Sequence, residues 1–174
     1  ILTKEQYDKN VATKKDSTER VEYAIRLPGR GQERGIVYIP IDAKFPKEDY
    51  ERLVEAQDRA DLEGVEKAAR ALEARIKNSA KDIQTKYIDP PNTTDFAIMF
   101  LPTEGLYAEI LRRTDLTEVL QREYRIVLAG PTTLAAILNS LQMGFRTLAV
   151  EKRSSEVWEL LGTVKTEFGK FTRI

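Results

Sequence analysis

The sequence has 174 residues, with 28 basic and 28 acidic residues, so its formal net charge is +0. Charged residues make up 32% and hydrophobic residues 41% of it, the composition of an ordinary globular domain with one core. Histidine and cysteine are absent, which excludes disulfides, thiolate zinc sites, Ser-His-Asp catalysis and nucleases with a histidine base. Acid–base and metal chemistry therefore falls to Asp, Glu, Lys and Tyr, and any binding to nucleic acid must use local basic patches.

The first predicted elements are strands. We expect a short helix, or the tail of one, within residues 1–10 and a first strand over 10–15. The stretches 21–27 and 36–44 alternate apolar and polar residues around a Pro-Gly-Arg-Gly turn, which predicts a hairpin of half-buried strands. A register in which paired positions sum to 64 brings the apolar residues to one face. Because Pro40 lacks an N–H, we expect a bulge or a sheet edge there.

The predicted register sets two carboxylates opposite each other. Glu22 pairs with Asp42, and Lys44 follows two residues later on the same face. Opposed residues have Cβ atoms roughly 4.5–5.5 Å apart, so two carboxylates repel and contribute little to the sheet. Oxygen ligands at that spacing suit a hard divalent cation such as Mg²⁺, and a neighbouring lysine can orient or deprotonate an attacking water. The alternative is a surface strand in which Lys44 forms an ordinary ion pair with one of the acids.

The hairpin tip is rich in arginine. Arg26, Arg30 and Arg34 lie there, with Glu33 as an opposing acid. Such a loop either keeps the surface hydrated or binds the phosphates of DNA beside a metal site.

A long helix is predicted to begin near residue 47 and to continue to about residue 88. Leu53, Leu72 and Ile76 recur at near-helical spacing, and Gly64 is the position at which the helix could bend or break. The sequence Asp-Pro-Pro-Asn that follows is a helix stop. We interpret the segment as a packed amphipathic helix; the alternatives are a helical lid or an arm that forms an oligomer.

Two apolar runs complete the predicted sheet. Residues 96–101 and 125–129 have strand length and are flanked by helices, as parallel strands buried on both faces are. Glu104 follows the first run, where it either caps a helix or lies at the ligand-binding edge of the sheet. The other predicted helices cover residues 106–112, 116–123, 130 to at least 145, and 151–168.

This order of elements predicts an α/β fold with a mixed central sheet flanked by helices, in a single domain over residues 1–174. The hairpin is expected to be antiparallel and the later strands parallel through helical crossovers. Since the chain starts with Ile1, we expect a domain excised from a longer protein. No run approaches 18 apolar residues, so no membrane contact is expected from this chain.

Six blocks of the sequence resemble the DNA recombination protein RmuC family of bacteria, and they occur in order over nearly the whole chain. The blocks are 21–29, 41–46, 95–104, 128–134, 142–146 and 151–155. The resemblance implies a restriction-endonuclease-like fold of the PD-(D/E)XK type and a nuclease that acts on DNA in recombination. It also implies a bacterial cytoplasmic location, with an upstream membrane anchor and coiled coil in full-length family members.

The family pattern falls on the residues that the hairpin brings together. Its first acid matches Glu22, which follows valine in place of proline, and its (D/E)XK element matches Asp42, Ala43 and Lys44. The resemblance thus implies that Glu22, Asp42 and the carbonyl of Ala43 hold Mg²⁺ or Mn²⁺, and that Lys44 positions or activates the water.

Two questions stay open in the sequence. A further acid of the family pattern would lie before Ile1 or near Glu5. The rivals to the nuclease are a non-catalytic DNA-binding or scaffold module on the same fold, and a module that only forms an oligomer through the long helix.

Overall fold

A five-stranded mixed sheet organises the part of the chain that the structure, a computed structural model, describes: residues 2–28 and 35–171. The strand order is β1-β2-β3-β4-β5, with β1 to β3 antiparallel and β4 and β5 parallel to β3. The predicted mixed α/β fold is therefore confirmed. The strands are β1 (Tyr7–Val11), β2 (Val21–Leu27), β3 (Val37–Ala43), β4 (Ala97–Phe100) and β5 (Ile126–Ala129), and the helices are α1 (Lys47–Asp58), α2 (Leu62–Tyr87), α3 (Glu104–Leu111), α4 (Thr114–Arg122) and α5 (Pro131–Phe171).

The chain divides into two compact units. One unit, Leu2–Ala135, contains the whole sheet, α1 to α4 and the first turn of α5. The other unit contains the rest of α5, from Ala136 onward. The two helices predicted after β5 are in fact one helix, because residues 146–150 contain neither proline nor glycine to end it.

The register of the hairpin is confirmed. Tyr23 pairs with Ile41 and Ile25 with Ile39, so partners sum to 64. The turn itself, at 29–34, lies outside the described residues.

The expectation of a bulge or edge at Pro40 is wrong. Pro40 pairs in register with Ala24 inside β3, and β3 is an interior strand. The N–H groups of Tyr38 and Lys44 point toward the β4 side, where they donate to Asn92 and Phe100 carbonyls. The nitrogen of Pro40, two residues from Tyr38, faces the same β4 side. No pair with β4 forms there, because the continuous β3–β4 ladder begins only at Ile41 and the isolated bridge lies at Tyr38, so the missing N–H costs the sheet no hydrogen bond.

The first strand is earlier than predicted. Residues 7–11 form β1, with Tyr7 opposite Ile25, where a helix was expected. The stretch 12–15 instead leaves the sheet, and the hydroxyl of Thr13 donates to the carbonyl of Tyr87. The local sequence does not distinguish a first strand at 7–11 from one at 10–15. The contact between Thr13 and Tyr87, 74 residues apart in the sequence, holds the stretch 12–15 against α2 instead.

The long predicted helix is two helices, and the break precedes Gly64. Ala60 has a left-handed φ of 53°, and Asp61 caps α2 by accepting a hydrogen bond from the N–H of Gly64 at 3.0 Å. A Cβ on residue 64 would lie 2.3 Å from the Asp61 carboxylate, so glycine here makes room for the cap rather than breaking the helix.

The core lies between α2 and the sheet face that also carries Asp42. Ala24 and Met99 belong to this core with Leu72 and Ile76 of α2. Since Met99 is the β4 neighbour of Asp42, the carboxylate points to the helix-covered face. The opposite face is buried too, as Ile25, Ile39 and Ile98 show. The fold therefore places Asp42 on the face of the sheet that α2 covers.

Candidate metal centre at the end of β3

Asp42 is a buried carboxylate at the end of an interior strand. The residue is only 5% exposed, and Lys44 Nζ lies 2.8 Å from its Oδ2. Beyond this ion pair, Oδ2 accepts no hydrogen bond from the described residues. A buried carboxylate is normally matched by several hydrogen bonds or cations, so one ammonium leaves Asp42 room for a further positive partner.

Glu22 is the exposed counterpart of Asp42. Their neighbours Tyr23 and Ile41 form the last pair of the ladder, and Glu22 and Asp42 are the next residues beyond it. That the two side chains share one face of the sheet stays a prediction of the sequence. Unlike Asp42, the side chain of Glu22 is open to solvent.

Tyr87, at the end of α2, reports on this concentration of acids. Burial raises the pKa of its hydroxyl above the ordinary 10.0, and the charges of Asp42, Glu19, Glu22 and Asp82 raise it further. Four carboxylates are thus close enough to act on one buried phenol. The sequence analysis did not single out Tyr87, Glu19 or Asp82. The available signal was the position of Tyr87 at the end of the long apolar helix, two residues before the Asp-Pro-Pro stop.

The segment before β2 is fastened to the end of α2. Thr13 donates to the carbonyl of Tyr87 at 2.8 Å, and Lys14 donates to the carbonyl of Thr85. Lys86 lies 3.7 Å from Glu19 in an ion pair. We call these three contacts the α2 clamp. Because residues 13–19 lie just before β2, the clamp ties the start of β2 to the end of α2.

The residues fit a divalent cation of the Mg²⁺ type in part. Asp42 and Glu22 supply two carboxylates, and Ala43 lies exposed at the end of β3 with its backbone carbonyl. Over residues 2–28 and 35–171, no three Asp, Glu, His or Cys side chains form a complete cage. Mg²⁺ is commonly held by one or two carboxylates and keeps several waters, so the smaller set suits it. The further acid expected near Glu5 is not at the site, since Gln6 lies beside Arg26 and Glu5 is therefore toward the opposite end of β2 from Glu22.

Of the three arginines that the sequence analysis assigned to DNA, the structure describes Arg26. Arg26 Nε lies 3.6 Å from Asp8, which also accepts a hydrogen bond from the Tyr38 hydroxyl at 2.8 Å. Burial and this hydrogen bond raise the pKa of Tyr38. Arg26 is thus already engaged on the β1 side of the sheet. Arg30 and Arg34 lie outside the described residues.

Glu104 caps a helix, though not its own. Thr103 caps α3 by accepting from the N–H of Leu106 at 3.2 Å. Glu104 instead accepts from the N–H of Thr132, in the first turn of α5, at 2.6 Å. Hydrogen bonding to Thr132 lowers the pKa of this carboxyl below its ordinary 4.5. Glu104 is therefore a link between the ends of β4 and β5, and its charge suits the positive end of the α5 dipole.

A membrane-crossing element is not found among the described helices, since none of them combines sufficient length with sufficient apolar character.

Comparisons with known proteins agree on one family. The family model described as "RmuC family" matches residues 1–174. A DNA recombination protein RmuC homolog from Xylella fastidiosa (strain Temecula1) is 64% identical over 173 residues, which are 99% of this chain and 38% of that protein. Homologs of the same name from Chlamydia pneumoniae and Pseudomonas aeruginosa are 31% and 26% identical, over 82% and 97% of this chain and 31% and 36% of theirs. The chain thus spans less than two fifths of these relatives, and no solved structure matches it significantly.

Proposed function

Because the chain belongs to the RmuC family, we propose that it acts on DNA in recombination as a divalent-metal-dependent phosphodiesterase on a restriction-endonuclease-like fold. The names of the curated relatives support DNA recombination as the setting. The observation that carries the proposed chemistry is the buried carboxylate of Asp42, whose Oδ2 has Lys44 at 2.8 Å and no further partner among the described residues. Such a group, beside a second carboxylate at a strand end, is placed to hold a hard cation.

The proposed ligands are Asp42, Glu22 and the carbonyl of Ala43, with Mg²⁺ or Mn²⁺ as the ion. When bound, the cation supplies a Lewis acid that offsets the charge of a scissile phosphate. Asp42 is buried and paired with Met99 of β4, so it sets the position of the site. Glu22 is exposed and can adjust to the occupant.

Lys44 has two tasks in this proposal. Without the ion, its ammonium compensates the buried charge of Asp42 at 2.8 Å. With the ion and DNA bound, it turns toward the attacking water or a phosphate oxygen and stabilises the charge that develops there. Its backbone N–H donates to the carbonyl of Phe100, which anchors the base of the side chain while the ammonium stays partly exposed.

A cleavage assay tests the proposal. Single-stranded, blunt duplex, overhang and branched DNA are incubated with Mg²⁺ or Mn²⁺, with Asp42→Ala as the matched inactive variant. We expect ion-dependent products from the wild type and none from the variant. The absence of cleavage of every DNA structure, with either ion, would overturn the nuclease assignment.

The rival is a DNA-binding or scaffold module without turnover. The close Lys44–Asp42 contact favours it, because a purely structural ion pair has the same appearance. Calorimetric metal titration separates the two: the enzyme requires divalent-ion binding that Asp42→Ala abolishes, and the scaffold does not.

A further inference from the structure

A cleft begins at Lys44 and extends away from Asp42. It lies between the turn that joins β3 to α1 and the C-terminal half of α2, and its volume is about 460 Å³. Phe45 and Lys47 line one side, and Arg75, Ser79 and Asp82 line the other. This volume falls within the roughly 300–1,000 Å³ of small-ligand pockets. Whatever fills the cleft therefore lies directly beside the proposed site of phosphate cleavage.

The aromatic ring in this cleft is exposed on a rigid support. Phe45 is 46% exposed. On one side of Phe45, the N–H of Lys44 donates to the carbonyl of Phe100 at 2.9 Å. On the other side, the carbonyl of Phe45 accepts from the N–H of Lys47 at 2.7 Å. The backbone that carries the ring is thus held by hydrogen bonds on both sides. An exposed aromatic ring on such a support, in a polar cleft, can stack on a flat partner.

The charges around the ring suit a ligand that is both anionic and hydrogen-bonding. Lys47 and Arg75 are 62% and 66% exposed at the side chain. The ion pair of Lys47 with Glu51, at 3.6 Å, is solvent-facing and therefore weak, so Lys47 can turn to a phosphate at small cost. Arg75 donates to the buried carboxylate of Asp49 at 3.3 Å, and Arg52, 3.8 Å from that carboxylate, stays beside it when Arg75 turns to a phosphate. Three carboxylates, Glu48, Asp49 and Asp82, also line the cleft and can accept N–H groups. A bare polyanion would be repelled by these acids, whereas a nucleotide offers a phosphate for the cations and a base edge for an acid.

We propose that this cleft binds one unpaired nucleotide of DNA, with its base stacked on Phe45 and its phosphate held by Lys47 and Arg75. The inference rests on the proposed function, whose substrate class it narrows to strands with an unpaired base next to the scissile phosphate. In a duplex both faces of a base are covered by its neighbours, so Phe45 can stack only on a single strand, a frayed end or a base that has left the helix.

Fluorescence of 2-aminopurine tests the cleft without cleavage. A short single strand that contains this base, and a blunt duplex of the same sequence, are titrated with the full chain in EDTA and again in Ca²⁺. Stacking on an aromatic ring quenches the probe. The variants are Phe45→Ala, the conservative Phe45→Tyr and, as the matched control, Leu111→Ala, which removes a similarly exposed (43%) apolar side chain at the end of α3 outside the cleft.

We expect the wild type to quench the single-stranded probe. Phe45→Ala should lose the quenching and bind the single strand about five- to 100-fold more weakly. Phe45→Tyr should restore both, Leu111→Ala should change neither, and duplex affinity should stay within about twofold of the wild type in all variants, since stacking on Phe45 plays no part there. The proposal is overturned if the wild type shows no quenching in either condition, or if Phe45→Ala weakens single strand and duplex alike.

The same samples in Mg²⁺ separate this proposal from the nuclease assignment. Quenching by the wild type without any cleavage would keep the nucleotide cleft and remove the nuclease. Cleavage that Phe45→Ala leaves unchanged, with no quenching by the wild type, would keep the nuclease and remove the cleft.

Discussion

The ammonium of Lys44 lies 2.8 Å from the buried carboxylate of Asp42, two residues earlier on the same edge of the sheet. Lys44→Ala should leave that carboxylate buried without a cation and lower the free energy of unfolding by about 1–3 kcal/mol in EDTA. The double variant Lys44→Ala/Asp42→Asn should recover most of the loss, because the unpaired charge is gone. Urea denaturation measures the free energy of unfolding of both variants. Equal stability of the wild type and Lys44→Ala would show that the ion pair contributes nothing to the stability of the fold.

Metal binding should respond in the opposite direction to the same variant. Lys44→Ala should bind Mg²⁺ at least as tightly as the wild type, since a competing cation has been removed, while cleavage falls about 10²–10³-fold. Calorimetric titration beside a cleavage time course separates the two effects. Cleavage by Lys44→Ala at the wild-type rate would exclude any chemical role for the lysine.

The two carboxylates should contribute unequally to metal binding. Asp42→Asn should abolish it, because Asp42 is the fixed ligand, whereas Glu22→Gln should weaken it to a smaller extent because the exposed side chain can be replaced by water. Glu63→Gln, at the opposite end of α2, is the control and should bind normally. Calorimetry that gives three identical isotherms would contradict the assigned site.

Tyr87 provides a spectroscopic test of the arrangement. Of the four carboxylate charges that raise the pKa of the Tyr87 hydroxyl, that of Asp42 has the largest effect. Asp42→Asn removes it, so this pKa should move down toward 10.0. It should remain above that value, because burial is the main cause of the shift. Carbon-13 NMR of labelled tyrosines follows the titration, with Tyr87→Phe to assign the signal. An unchanged pKa in Asp42→Asn would mean that the carboxylate does not act on the phenol.

Glu104 predicts a dependence of stability on acid. Its pKa is lowered in the folded chain, so its contribution is fully present above the ordinary value of 4.5 and is lost as pH falls through the lower folded value. Glu104→Gln should therefore melt below the wild type at pH 7, and the gap should close as the pH is lowered past that range. Glu118→Gln, an exposed acid on α4, should follow the wild type throughout. A gap that persists at the lowest pH would mean that the carboxylate charge is not what Thr132 binds.

The arginines of the hairpin tip should act through charge alone. Replacing Arg30 and Arg34 by alanine should weaken DNA binding equally for all sequences. The slope of log affinity against log salt concentration should fall by the amount expected for the loss of about one to two phosphate contacts. Arg26→Ala should have less effect, because Arg26 is already paired with Asp8. Binding measured against salt checks this; a loss confined to one DNA sequence would point to base recognition instead.

Local patterns were sufficient for the hairpin register and the two buried parallel strands, because alternation and apolar runs specify which residues face inward. They also placed Asp42 beside Lys44. They failed where distant contacts decide the structure: Thr13 binds the end of α2 and so moves the first strand, and Pro40 lies in a gap of a ladder whose partner comes some 50 residues later. Tyr87 and Asp82 escaped notice for the same reason, since only the packing of α2 brings them to β3.

The α2 clamp also determines the stage of folding at which this part of the chain is complete. Its hydrogen bonds join positions 71 and 74 residues apart, so the entropy of closing that loop must be met before they form. The hairpin is local and can assemble early, whereas the contacts that join residues 13–19 to α2 form only after this long loop has closed. Under the proposed function, a half-folded or newly synthesised chain would therefore not yet cleave DNA.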